Sequence, residues 1–235
     1  MIAASLGVFG DAIEFVVDER SLILDKTWEH LQLSVVAIVV SIVLALPLGV
    51  LLGHLHRGSF VAINLANVGR ALPSLAVIAI GIAFLGVGFT NVTVALVVLA
   101  VPPILTNAYV AVDGVEQEAV EAARGMGMTD WQVIRQVEFP LSLPLIFTGI
   151  RTATIFVVAT ATIAAIAGGG GLGDIIVNQA GYGIEGVVGA AICVSILALA
   201  ADGLLGLVQR LLTPPGLRAR ADSFEPDVLT GVVRR

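Results

Sequence analysis

The chain has 235 residues, 57% of them apolar and only 13% charged, with a formal net charge of −6 and a mean hydropathy of +1.01. Soluble domains carry about 25% charged residues, so the composition excludes an ordinary soluble domain and points to an all-α, polytopic membrane protein; no nucleic-acid partner is expected. The lone Cys193 can form neither an internal disulfide nor a thiolate metal site, and it reads as a small core residue.

Residues 1–30 mix apolar side chains with Asp11, Glu14, Asp18, Glu19, Asp25 and Glu29. They read as a flanking segment, with an interfacial helix as one option, and not as a span. No basic region precedes an apolar stretch there, so a cleaved secretory signal is not expected. Apolar blocks of about twenty residues, the length that crosses ~30 Å of hydrocarbon, then predict five spans: about 31–53, 71–88, 91–112, 144–167 and 187–209. Pro73 falls in the second span, and Pro102 and Pro103 fall in the third. Such defects are tolerated where neighbouring helices cover them.

A polar insertion, 113–143, separates spans three and four. Val115–Arg124 reads as a short helix closed near Gly125–Gly127. Thr129 with Gln132 three residues on forms a capping-box pattern, and the second helix is expected to stop at Pro140. Thirty residues with two helix starts and stops exceed what a connector needs. Ala119, Ala122 and Ala123 offer a small face for close approach. The expectation is a helix–turn–helix knuckle that docks on a partner.

Orientation follows from Lys and Arg in the loops. Five spans put Arg57, Arg70, Arg124, Arg135, Arg151, Arg210, Arg218, Arg220, Arg234 and Arg235 on one side, ten in all, against Arg20 and Lys26 on the other. The insertion and the tail 210–235 are therefore expected in the cytoplasm, and residues 1–30 outside.

Further clusters have competing readings. "GGGGLGD", spanning Gly168, Gly169, Gly170, Gly171, Gly173 and Asp174, lacks the Lys of a phosphate loop and reads as a flexible or tightly packed loop near an external gate. His54 and His56 lack a third metal ligand and read as an interfacial turn. Arg70 and Arg151 are expected to snorkel from span ends. Asp202 lies inside span five, where an acid faces a pathway or pairs with an Arg. With only two Trp and two Tyr scattered along the chain, no aromatic cage for a quaternary ammonium is expected.

Glu121-Ala122-Ala123, then Gly127, then Val137-x-Phe139-Pro140 at the full spacing resembles the EAA signature of ABC-importer permeases. Val137 and Phe139 stand where that signature has Ile and Leu. Further segments, "ALPLGVLLG", "ALPSLAVIAIG", "VPPILTNAYVAVDGV", "EFPLSLPLIFTGIRTATI" and "GGGGLGDIIV", extend the resemblance over about residues 28–210. The chain thus resembles the permeases of glycine betaine, carnitine, choline and proline (osmoprotectant) importers.

The resemblance implies the type I ABC importer permease (MetI-like) fold and a dimer with an identical or paralogous second permease subunit. It also implies an external solute-binding protein, surrounding membrane lipid, and cytoplasmic ABC ATPase subunits gripping the segment with Glu121 to Gly127. ATP and Mg would be bound by the ATPase. This chain has no Gly-x-x-x-x-Gly-Lys-Ser/Thr and is expected to bind no cofactor or metal and to catalyse nothing. Permeases for methionine or other amino acids share the five-span plan and are the near alternative. An intramembrane protease would need a base inside the spans; His30, His54 and His56 all read as lying at or outside span ends, which disfavours that alternative. The coupling signature disfavours a passive scaffold.

Overall fold

The computed structural model describes residues 2–213; Arg218, Arg220, Arg234 and Arg235 of the expected cytoplasmic tail lie outside the described residues. Among the described residues, ten α-helices follow in chain order: α1 (Ile2–Asp18), α2 (Arg20–His54), α3 (Ser59–Ala71), α4 (Ser74–Leu85), α5 (Phe89–Asp113), α6 (Gln117–Gly125), α7 (Asp130–Val133), α8 (Phe139–Thr160), α9 (Gly173–Val177) and α10 (Gln179–Leu212). A π-helical turn, Ile134–Glu138, joins α7 to α8, and a 3₁₀ turn, Ile163–Ala167, follows α8.

Four of the described helical runs are long and apolar enough to cross a membrane: Arg20–His54, Phe89–Asp113, Asp130–Thr160 and Gln179–Leu212. The second expected span, 71–88, is not one helix. Leu72 is extended (φ −72°, ψ 118°) ahead of Pro73, because the proline ring disfavours a helical conformation in the residue before it. The break leaves α4 with 12 residues, about 18 Å of helix. The preceding α3 is too polar to have registered as an apolar run.

The other boundaries also move. The first span, 31–53, is the inner part of α2, whose 35 residues extend about 52 Å. The flanking segment 1–30 holds α1 and the start of α2. Pro140 does not stop the second knuckle helix. It sits in the first turn of α8, but the helix passes through the π-helical turn without ending, so its missing N–H leaves a gap in a continuous hydrogen-bond ladder. The fourth span therefore starts well before residue 144, and it ends at Thr160 instead of 167. The first knuckle helix opens at Gln117, with Glu116 at its N-cap. The fifth span, 187–209, lies within α10, which bends at Gly183 (φ 66°).

At the centre, α5 is buried among α2, α8 and the α3–α4 pair. Leu33, Leu96, Ile104, Ala108, Val112, Ile146, Ile150 and Val157 form its contiguous core. The helices approach closely: a Cβ at Gly49 would lie 2.7 Å from both Ala108 Cβ and the Leu105 carbonyl oxygen. A separate cluster of Ile23, Val158, Leu172, Ile175, Ala190 and Val194 seats α10 and α9, with Phe15 and Val16 of α1 packed against it. Only 6% of the most apolar window of α10 is buried.

Candidate functional site

The knuckle is a folded unit. Val120, Ala123 and Val133 form a small core, with Val115, Met128 and Val137 packed on it. Thr129 and Gln132 close the capping box, the Thr129 N–H donating to Gln132 Oε1 at 2.8 Å. Gly127 turns the chain at φ +83°, a left-handed conformation that glycine adopts without penalty. The signature residues divide by environment. Glu121, Ala122 and Gly127 are exposed, and Gln117 Nε2 donates to Glu121 Oε1 at 3.0 Å. Ala123 is buried in the knuckle core and Val137 leans on it, so Ala123 does not belong to the small docking face expected of it. Pro140 is half-buried at the start of α8. Met126 and Trp131, at 72% and 68% exposure, add apolar surface beside the exposed signature residues.

At the other end of α2 the glycine-rich loop is tightly packed, the second of the two readings open for it. Gly171, Leu172 and Gly173 are buried. The Gly171 N–H donates to Glu29 Oε2 at 2.8 Å, and Lys26 Nζ donates to Glu29 at 2.8 Å and to Asp174 at 2.7 Å. Gly171 has φ +85°, and a Cβ there would lie 3.1 Å from His30 Nδ1. His30 lies inside α2, fully buried, with Nε2 donating to the Val158 carbonyl at 2.9 Å. It is therefore a core residue within a helix, held through Nε2.

Asp202 is paired. Arg151 Nε and Nη2 donate to its two carboxylate oxygens at 2.7 Å each, and Arg151 Nη1 donates to Gln209 Oε1 at 3.3 Å. Because α8 begins at Phe139, Arg151 lies 12 residues in, about 18 Å along the helix. Its guanidinium lies beside Gln209, near the C-terminal end of α10, and a bidentate carboxylate satisfies it.

The break between α3 and α4 borders a cavity of about 640 Å³, lined in part by Ser74, Pro103, Thr106, Asn107, Thr152 and Phe156. Pro102 and Pro103 cannot donate to the carbonyls of Val98 and Leu99 one turn back, and Leu99 lies on the cavity wall. The site residues that sequence reasoning missed are these cavity residues, Lys26, Glu29, and the pairing of His54 with Glu138. His54 is no mere interfacial turn: it is buried, with Nδ1 2.7 Å from Glu138 Oε2. Only the odd acid between Val137 and Phe139 hinted at it. Among the described residues no group of three or more His, Cys, Asp or Glu could hold a metal.

Apolar helices around a broken element, with a separately cored charged knuckle, define the architecture of a transporter permease. The chain matches the solved inward-facing MetNI methionine ABC transporter with a TM-score of 0.73, at 24% identity over 83% of this chain and 98% of that one. It is 44% identical to the glycine betaine/carnitine/choline transport system permease protein OpuCB of Bacillus subtilis, over 83% of this chain and 91% of the relative. It is 40% identical to the choline transport system permease protein OpuBB of the same organism, over 88% and 95%. Residues 45–214 match the binding-protein-dependent transport system inner membrane component family, and the chain belongs to it.

Proposed function

We propose that this chain is the permease subunit of an ATP-driven importer that passes an osmoprotectant (glycine betaine, choline, carnitine or proline) across the cytoplasmic membrane. The observation that carries the reading is the knuckle. Glu121, Ala122 and Gly127 stand exposed on a rigid, separately cored unit, as a surface gripped by an ATPase requires. A partner ATPase subunit binds ATP and Mg and hydrolyses the nucleotide. The α3–α4 pair makes the second of five crossings, because the end of α2 and the end of α5 meet at the His56–Asp113 bond. The knuckle and C-terminus then face the cytoplasm and the N-terminus faces outward, in keeping with the ten-to-two distribution of basic residues.

The exposed apolar length of α10 supports burial against a second permease subunit or lipid. The Gly168–Asp174 loop serves as part of the external gate, toward which an external binding protein delivers solute. The cavity at the α3–α4 break is the best-placed passage for a small polar solute. Its described lining residues offer hydroxyls, an amide and the Phe156 ring but no charge, so they would hold a quaternary ammonium weakly and leave selection to the binding protein. The curated relatives favour this solute class over methionine, since their names specify glycine betaine, carnitine and choline for those proteins.

Reconstitution with its ATPase and binding protein, followed by uptake of labelled glycine betaine, choline, carnitine, proline and methionine, tests the reading. Accumulation of at least one of the first four is expected. Accumulation of methionine alone would overturn the solute class.

A further inference from the structure

His54, the last residue of α2, and His56, in the turn just beyond it, hold both ends of the knuckle. His56 Nδ1 donates to Asp113 Oδ1 at 2.9 Å, where α5 ends and the knuckle begins. His54 Nδ1 donates to Glu138 Oε2 at 2.7 Å, where the knuckle leaves through the π-helical turn. The first pair is 62% and 38% exposed, and exposed pairs contribute little. The second is 6% and 2% exposed; a charge-assisted bond shielded from water is short, stiff and costly to break.

Glu138 occupies the unspecified position of the signature, so the signature does not account for a buried carboxylate there. The π-helical winding around it re-aims side chains, and such turns inside α-helices mark functional positions. The end of α2 is itself fixed to α5. A Cβ at Gly53 would lie 2.7 Å from Val112 Cβ and 2.9 Å from the Tyr109 carbonyl oxygen. At its opposite end, α2 carries Lys26 and Glu29, which hold Asp174 and the Gly171 N–H.

We propose that the His54–Glu138 bond is the strut by which movement of the knuckle is delivered to α2, and that α2 is the rod that carries it to the glycine-rich loop. The inference rests on the reading of the knuckle as the ATPase-docking segment. Chain continuity and the packing of Ile134 and Phe139 on the main core tie the knuckle to α5 and α8, while His54 reaches it through Glu138 and, at 3.9 Å, through Asp130. The strut adds a third helix, α2, which, like the helical run Asp130–Thr160, reaches from the knuckle toward the glycine-rich loop and which carries the Lys26 and Glu29 side chains that bind that loop. His54 and Glu138 are positioning residues: they touch neither nucleotide nor solute, and their loss affects transfer of movement and not hydrolysis.

The test uses the full complex, with its ATPase and binding protein, in proteoliposomes, reading solute accumulated per ATP hydrolysed. Glu138→Gln and His54→Gln are each expected to lower that ratio at least about fivefold, the small end of typical coupling between sites, while hydrolysis continues. A general loss of stability would lower both activities and leave the ratio unchanged, and an unchanged ratio overturns the strut.

A second measurement does not depend on those variants. His54→Cys and Glu138→Cys are combined with Cys193→Ser and joined by a short bis-maleimide. The linked protein is expected to transport, since the pair moves as one; hydrolysis without uptake in the linked protein overturns the proposal. Gly127→Trp is run alongside. If it uncouples while the His54 and Glu138 variants do not, the strut alone fails. If none of the three changes the ratio, the docking reading fails with it.

Discussion

Gly49 and Gly53 let the backbone of α2 lie directly on α5. Gly49→Leu would force carbon against Ala108 Cβ and the Leu105 carbonyl oxygen, each only 2.7 Å from where its Cβ would stand. Overpacking of this kind costs about 1–3 kcal/mol, and a lower thermal midpoint of the purified complex is the expected result. Charge is handled with equal economy. Asp202→Asn leaves the half-buried Arg151 without its carboxylate partner, and a partly buried cation without one is unfavourable. Folded yield should fall, and the double change Arg151→Gln with Asp202→Asn should recover much of it, because removing both charges costs less than stranding one. Yield and thermal midpoint of the single and double variants check this; equal loss in both would count against pairing as the role of Asp202. Pairing with an Arg was one of the two readings of Asp202, but the sequence did not single out Arg151, which lies 51 positions away.

Elements differ in how plainly the sequence writes them. The knuckle was legible almost throughout, because caps and turn glycines are local: Thr129, Gln132 and Gly127 do what their types and spacing require. The spans were legible as apolar mass but not as boundaries. Hydropathy does not register the extended residue that Pro73 imposes, nor the π-helical turn that carries the helix past Pro140. The glycine-rich loop was visible as a motif, but its packing against Lys26, Glu29 and His30 depends on tertiary contact. That contact sharpens an expectation. Gly173→Val should prevent assembly, since any side chain there strikes the Thr162 carbonyl oxygen. Lys26→Met removes one hydrogen bond to the loop, at Asp174, and one that steadies Glu29 within α2, and should leave the complex assembled with altered uptake. Membrane extraction and uptake assays separate these outcomes; assembly of Gly173→Val at wild-type level would contradict the tight packing.

At the scale of the molecule, a single continuous helix connects two sites. α2 reaches from the loop-binding Lys26 and Glu29 to His54 beside the knuckle, with α5 as its bed along the way. Alternating access in such a bundle needs helices that shift between discrete packings, and the continuous α2 offers a route for that shift. The central claim is that the exposed face of the knuckle receives the work of ATP hydrolysis. It is tested most directly by measuring labelled glycine betaine accumulation and ATP hydrolysis in the same proteoliposomes, for the native complex and for Glu121→Lys and Gly127→Trp. Native complexes should accumulate solute, while both variants should hydrolyse ATP with little or no accumulation. Undiminished accumulation in both variants would contradict the claim.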